Sequence, residues 1–150
     1  MELFEATIFD LPQLSDLFNQ YRMFYKQPSD IEGSRKFLSD RLLQKDAIIY
    51  IVTDENNLTG FVQLYPLFSS VRMKKCWLLN DLFVIPDARN KRIARLLIDR
   101  CKLLAKESDA SGIMLETGKN NIEGNKLYPS EGFLLMDSVE FYIWENNDLK

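Results

Sequence analysis

From residue 79 to 105 the chain reads LNDLFVIPDARNKRIARLLIDRCKLLA. Arg89, Lys91, Arg92 and Arg95 crowd a turn that opens a helix, and the first N–H groups of a helix have no internal partner. Backbone donors at the positive end of a helix, ringed by cations, form a site for phosphate, and this density of charge suits a diphosphate. The same residues would also serve as a plain, water-facing basic helix start. The turn is neither a P-loop nor a dinucleotide fingerprint, because the chain contains no G-x-x-x-x-G-K-[ST] and no G-x-G-x-x-G. Just upstream, Asn80 and Asp81 lie on an apolar strand, where they would meet the rest of a molecule anchored by its phosphates.

The chain has no histidine, which removes Ser-His-Asp and Cys-His nucleophiles. Its two cysteines, Cys76 and Cys101, have no C-x-x-C spacing, so no metal site is expected and free thiols in a reducing compartment are. At 150 residues, 46% hydrophobic and 27% charged, the composition is that of one globular domain, 1–150. A net charge of −3 argues against a nucleic-acid surface. The N-terminus lacks the pattern of a signal peptide, and no apolar run has membrane-spanning length. A cytoplasmic protein with no membrane partner is the expectation.

The elements that position the turn follow from periodicity. Residues 2–8 read as a strand, and Asp10 with Gln13 as a capping box before a helix bearing Leu11, Leu14, Phe18, Tyr21 and Tyr25 on one face. Ser29 and Glu32 cap a second helix ending near residue 44. Strands are expected at 47–53 and 58–65, joined by the turn at 54–57, with Pro66 and Ser69-Ser70 breaking the second. A strand at 76–84 precedes the basic turn and a helix over 91–108, with Ile93, Leu97, Cys101 and Leu104 facing the core. A short strand at 112–116, a helix at 122–128 and strands at 132–135 and 139–144 complete the order βααβββαβαββ. That order is α/β: a mixed sheet with helices on both faces, in which the crossover through the 91–108 helix makes its flanking strands parallel.

The segment LNDLFVIPDARNKRIARLL resembles the central motif of the GCN5-related N-acetyltransferases, a strand followed by R/Q-x-x-G-x-G/A. Arg89 takes its first position, Arg92 stands where that family usually has glycine, and Ala94 takes the last. Asn121 to Phe133, NIEGNKLYPSEGF, resembles the family's N-x-x-A-x-x-L-Y-x-x-x-G-F, with Gly124 in place of alanine. The phrases YRMFY, QLYPLFSS and LNDLFV are similar to small bacterial and fungal amine acetyltransferases of this family.

The resemblance implies acetyl-CoA as co-substrate, no metal, and direct transfer of acetyl to a primary amine of a small molecule or protein. It implies that backbone groups of Leu82, Phe83 and Val84 pair with the pantetheine arm at a splay or bulge. It implies that Arg89, Asn90, Lys91, Arg92, Ile93, Ala94 and Arg95 cradle the pyrophosphate, that Asn121 with Gly124 meets the pantetheine, and that Tyr128 lies beside the sulfur. A phenol there can protonate the departing thiolate. Many members carry a glutamate at the position of Asn80, and asparagine is no base. Two readings stand: Asp81 takes the amine's proton, which strand alternation forbids unless a bulge re-aims it, or a water held by Asn80 relays it. Asp81 as a purely structural carboxylate is a third.

Arg92 at positive φ would weaken cofactor affinity, and Pro129 would end or bend the last helical turn at Tyr128. For the acceptor, the family places the amine between the first two helices and the central strands, which nominates Tyr21, Arg22, Tyr25, Gln63 and Tyr65. Arg22 among aromatics suits an acidic acceptor group or an ion pair. An edge strand at 139–144 offers pairing between subunits, a homodimer. The competing class is an acyl-CoA-binding regulatory module without catalysis, motivated by Asn80.

Overall fold

β-branched and aromatic residues dominate two strands, β2 (Ile48–Asp54) and β3 (Asn57–Ser69), which fold back on each other through Glu55 and Asn56. Both turn residues adopt left-handed φ, 49° and 68°, the geometry that matches a two-residue turn to strand twist. In the computed structural model, which describes residues 1–149, this hairpin is the middle of a sheet ordered β1-β2-β3-β4-β5. β1 is Glu2–Glu5, β4 is Lys74–Val84 and β5 is Ile113–Met114. All neighbours are antiparallel except β4 and β5, which run parallel because α3 (Ile93–Glu107) crosses between them. The chain groups into two compact units, Met1–Glu116 and the segment from Thr117.

In the first unit the sheet separates two cores. One face packs Tyr50, Val52, Val62, Leu64, Trp77 and Leu79 against Ile93, Leu97, Cys101 and Leu104 of α3. The other packs Ile49, Ile51, Phe61 and Phe83 against Leu14, Leu17 and Phe18 of α1 (Leu11–Phe24) and Leu38 of α2 (Ile31–Gln44). Helices therefore cover both faces, as the element order implies, and the side chains read as the α3 core face are buried.

Several local expectations are corrected. β1 is shorter than residues 2–8, because Thr7 and Asp10 form the capping box of a 3-10 turn, Ile8–Asp10. Asp10 gives α1 no side-chain cap, and Gln13 instead accepts the N–H of Leu58 at 3.2 Å. Asp30, not Ser29, caps α2 through the N–H of Gly33 (2.9 Å), while Ser29 Oγ accepts from Asn19. β3 runs through Pro66 to Ser69. The N–H of Trp77, opposite Pro66, donates to Gly112, so this pair needs no hydrogen bond from the prolyl nitrogen. β5 spans two residues rather than 112–116.

In the second unit α4 runs Ile122–Ser130, one residue past Pro129. The closing strands expected at 132–135 and 139–144 are absent among the described residues. Aromatic and β-branched residues there favour extended backbone, yet a strand forms only where a neighbour shares its hydrogen bonds, and the sheet stops at five strands.

Candidate active site

The basic turn joins β4 to α3 through a 3-10 turn, Pro86–Ala88, and α3 begins at Ile93, two residues later than the apolar period places it. Asn90 and Arg92 both sit at φ 64°, so the loop does use the left-handed conformation that favours glycine. Arg92 occupies the N-cap and its side chain makes no cap hydrogen bond to the first N–H groups of α3, which begin at Ile93 and Ala94. Lys91 and Arg92 are exposed, while Ile93 is buried on the sheet. Gly60, which motif reading passed over, permits that approach: a Cβ there would lie 3.0 Å from Ile93 Cγ2 and 3.1 Å from the Phe83 carbonyl. Arg89 turns away from the loop. Its Nε donates to the Val84 carbonyl (3.2 Å) and its guanidinium lies 5.7 Å from the Phe24 ring centre.

β4 opens on its far side. It pairs with β5 only at Trp77–Ile113 and Leu78–Met114, so among the described residues Leu82, Phe83 and Val84 have β3 on one side and no strand on the other. This is a splay at the residues nominated for the pantetheine arm.

On the β3 side the ladder slips. Gln63 pairs with Asp81 but Leu64 pairs with Leu79, so Asn80 is the extra residue of a β-bulge. The consequence is a change of face. Trp77 and Leu79 point into the α3 core, and unbroken alternation would send Asp81 and Phe83 there too. Instead Phe83 packs in the α1–α2 core, while Leu82 and Val84 pack on the α3 side. Asn80 and Asp81 therefore both line the α1–α2 side of the sheet.

There a cavity of about 440 Å³ opens between α1, α2 and the strands. It is lined by Tyr21, Arg22 and Tyr25 of α1 and its end, by Tyr65, Asn80 and Asp81 of the sheet, and by Phe18, Asp30 and Phe37, which were not nominated. Phe18 belongs to the i, i+3, i+4 stripe with Tyr21 and Arg22, so periodicity carried the signal for it. Rings tie the wall together: Phe18 stacks on Phe37 at 5.7 Å, and Tyr25 meets Tyr21 edge-on at 5.1 Å. Gln63 lies behind this lining, fully buried.

Asp81 is 6% exposed and held by amides. Gln63 Nε2 donates to its Oδ2 at 2.7 Å, and Asn80 Nδ2 donates to Oδ1 at 3.1 Å and Oδ2 at 3.2 Å. The remaining amide oxygen of Gln63 is buried without a partner among the described residues. Burial, with Asp81 nearby, raises the phenol of Tyr65 to about 12 and raises that of Tyr25, so both stay neutral donors at ordinary pH. Arg22, read as a partner for an acid, donates Nη1 to the Pro28 carbonyl at 3.2 Å.

In the second unit Asn121 is the N-cap of α4. Its Oδ1 accepts the Gly124 N–H (3.1 Å) and its Nδ2 donates to Thr117 Oγ1 (3.0 Å). A Cβ on Gly124 would come within 2.5 Å of Asn121 Nδ2, so the alanine of the motif would require that side-chain amide to shift. Tyr128 is half-buried and packs edge-on against Phe133 at 5.8 Å. Among the described residues no cluster of acidic, thiol or imidazole groups could hold a metal, and no helix is long and apolar enough to cross a membrane.

Residues 12–133 match the Acetyltransferase (GNAT) family, which is most of the chain. The chain belongs to that family. This GNAT domain is 40% identical over 133 residues to an N-acetyltransferase, YhfO, of Bacillus subtilis (strain 168), covering 89% of each chain. It is 32% identical over 137 residues to a probable acetyltransferase of Haemophilus influenzae (strain ATCC 51907 / DSM 11121 / KW20 / Rd), covering 87% of this chain and 94% of that one. A solved structure of a probable acetyltransferase superposes with a TM-score of 0.93 at 37% identity, covering 99% of both chains. The mixed sheet with helices on both faces is thus a GNAT fold, and the chain is an acyltransferase.

Proposed function

We propose that this GNAT enzyme moves acetyl from acetyl-CoA to a primary amine. The net reaction is R–NH3⁺ + acetyl-S-CoA → R–NH–CO–CH3 + CoA-SH + H⁺. Two features of the chain fit the donor: uncapped N–H groups at the basic start of α3 suit its pyrophosphate, and the splayed stretch Leu82–Val84 suits its amide-bearing arm. The thioester supplies an acyl group activated toward nucleophiles.

The observation that carries the reading is the bulge at Asn80. It sets a carboxylate into the cavity one residue before the splayed stretch, so acceptor and acyl donor meet along a single strand. An ammonium has no lone pair and must lose a proton before attack. Asp81, positioned by Gln63 and Asn80, is the base that accepts it, and this is the direct route of the two the sequence left open. A backbone N–H near Phe83 or Val84 holds the acyl oxygen as charge develops, and Tyr128 returns a proton to the thiolate. The CoA-binding module without catalysis was motivated by Asn80, and a carboxylate in the same cavity removes that motive.

Thiol release from acetyl-CoA across a panel of amines tests the proposal. Turnover is expected with at least one class of amine, falling about a hundredfold or more in Asp81→Asn and at least about tenfold in Tyr128→Phe. Tight CoA binding with no transfer to any amine, even at alkaline pH where amines deprotonate unaided, would establish the binding module instead.

A further inference from the structure

Gly60 stands buried inside β3, where a glycine weakens a strand because it has no side chain to pack. Its φ is not left-handed, so the backbone conformation there does not ask for glycine. Room does. A Cβ at Gly60 would lie 3.0 Å from Ile93 Cγ2, 3.1 Å from the Phe83 carbonyl oxygen and 3.3 Å from Val84 Cγ2. All three fall inside the optimal separation of non-bonded carbon atoms, about 3.5–4.0 Å, so a methyl fits only if a neighbour moves.

Those neighbours belong to two different elements. Ile93 is the first residue of α3 and is 2% exposed, whereas Phe83 and Val84 close β4. In the proposed transferase these are the two halves of the donor site: the α3 start for the pyrophosphate, and the splayed end of β4 for the amide-bearing arm. β4 is hard to displace here. Phe61 pairs with Phe83, and the Ile85 N–H donates to the Thr59 carbonyl at 2.9 Å, so the ladder holds on either side of Gly60. α3 is held to the sheet by the apolar packing of Ile93, Leu97, Cys101 and Leu104, which is non-directional. An added methyl would therefore lift the first turn of α3 and leave β4 in register.

We infer that Gly60 is a positioning residue for the donor. By admitting Ile93 onto the sheet, it sets the spacing between the α3 start and the splayed stretch of β4. The inference rests on CoA occupying those two places, as proposed above. It makes a specific demand: the spacing matters to a ligand that spans both halves and not to one confined to a single half. Joining two fragments gains affinity only where geometry lets both engage at once.

Calorimetry on the full chain compares CoA with its two pieces, pantetheine and 3′-phospho-ADP, and needs no acceptor. In Gly60→Ala, CoA is expected to bind at least about fivefold more weakly, with each piece within about twofold of wild type. Ile93→Leu removes the Cγ2 branch at nearly constant volume, and in that background the alanine should cost CoA no more than about twofold. Unchanged CoA binding in Gly60→Ala, or a parallel loss for CoA and both pieces, overturns the inference, since a merely structural glycine would behave in one of those ways. An alanine that still weakens CoA to the same degree, or still unfolds the chain, in the Ile93→Leu background overturns it as well. That arm keeps the test decisive where Gly60→Ala alone folds poorly. A wild-type chain that binds neither CoA nor either piece removes the donor reading and the inference with it. CoA binding that is indifferent to Gly60 removes the inference and leaves the donor reading standing.

Discussion

Arg92 sits at φ 64° and ψ 16°, where the loop geometry asks for glycine. A residue with a Cβ in this conformation carries roughly 1–2 kcal/mol of strain. Glycine relieves it but loses about 0.5–1 kcal/mol through the greater freedom of the unfolded chain. Arg92→Gly is therefore expected to be more stable than Arg92→Ala by about 0.5–1 kcal/mol. Within a helix the order is reversed, because glycine is about 1 kcal/mol worse than alanine there. The sign alone thus separates a left-handed cap from a helical residue. Urea unfolding reads it as a rise in midpoint at constant slope, and a thermal melt as a shift of about 2–4 °C per kcal/mol at this chain length. Both variants lose the same cation, so any difference between them in CoA affinity reports backbone geometry, and the glycine variant should bind at least as tightly. A glycine variant less stable than the alanine variant would refute the left-handed assignment and the argument built on it.

Three further outcomes follow from the same geometry. Gln63→Leu should cost about 1–3 kcal/mol, because it takes the 2.7 Å amide donor from the buried Asp81, and Gln63→Glu should cost more at pH 7, where it sets a second carboxylate against Asp81, and recover part of that in acid; equal effects of the two in denaturant titrations would contradict the buried pairing. Tyr65 titrates at about 12 when folded and near 10 when unfolded, so the folded chain holds its proton more tightly; its contribution is intact below pH 10 and declines as pH rises through 12, and Tyr65→Phe should flatten that decline in unfolding midpoints. Burial pushes the Cys101 thiol up to about 12, so a thiol reagent at pH 8 should label at most one cysteine of the native chain, Cys76, and both after denaturation.

What could be read in the sequence was what periodicity encodes. The 3.6-residue spacing of Ile93, Leu97, Cys101 and Leu104 located α3, and β-branched runs around a polar turn located the β2–β3 hairpin. The basic turn was legible because charge is local. Which polar side chain caps was not: Thr7 and Asp10 close a reciprocal box on the 3-10 turn, and Asp30 rather than Ser29 takes the Gly33 N–H, and backbone direction decides both. The segment 139–144 has the composition of a strand, but composition carries no information about a neighbouring edge. The bulge lay furthest out of reach. One extra residue at Asn80 alters no spacing that a period of two can detect, yet it decides which helices Asp81 faces.

That bulge also bears on how such sites drift. Because positions 80 and 81 open into one cavity, an acid can migrate between them by two point substitutions without leaving its workplace. On the proposed reading, a glutamate at position 80 and the aspartate at position 81 would deliver the same charge to the cavity from neighbouring positions of β4. Under the proposed role of Asp81, a comparison column by column would score a lost base where the strand has offered it a second seat. The exchanged pair Asn80→Asp with Asp81→Asn is a laboratory replay of that step.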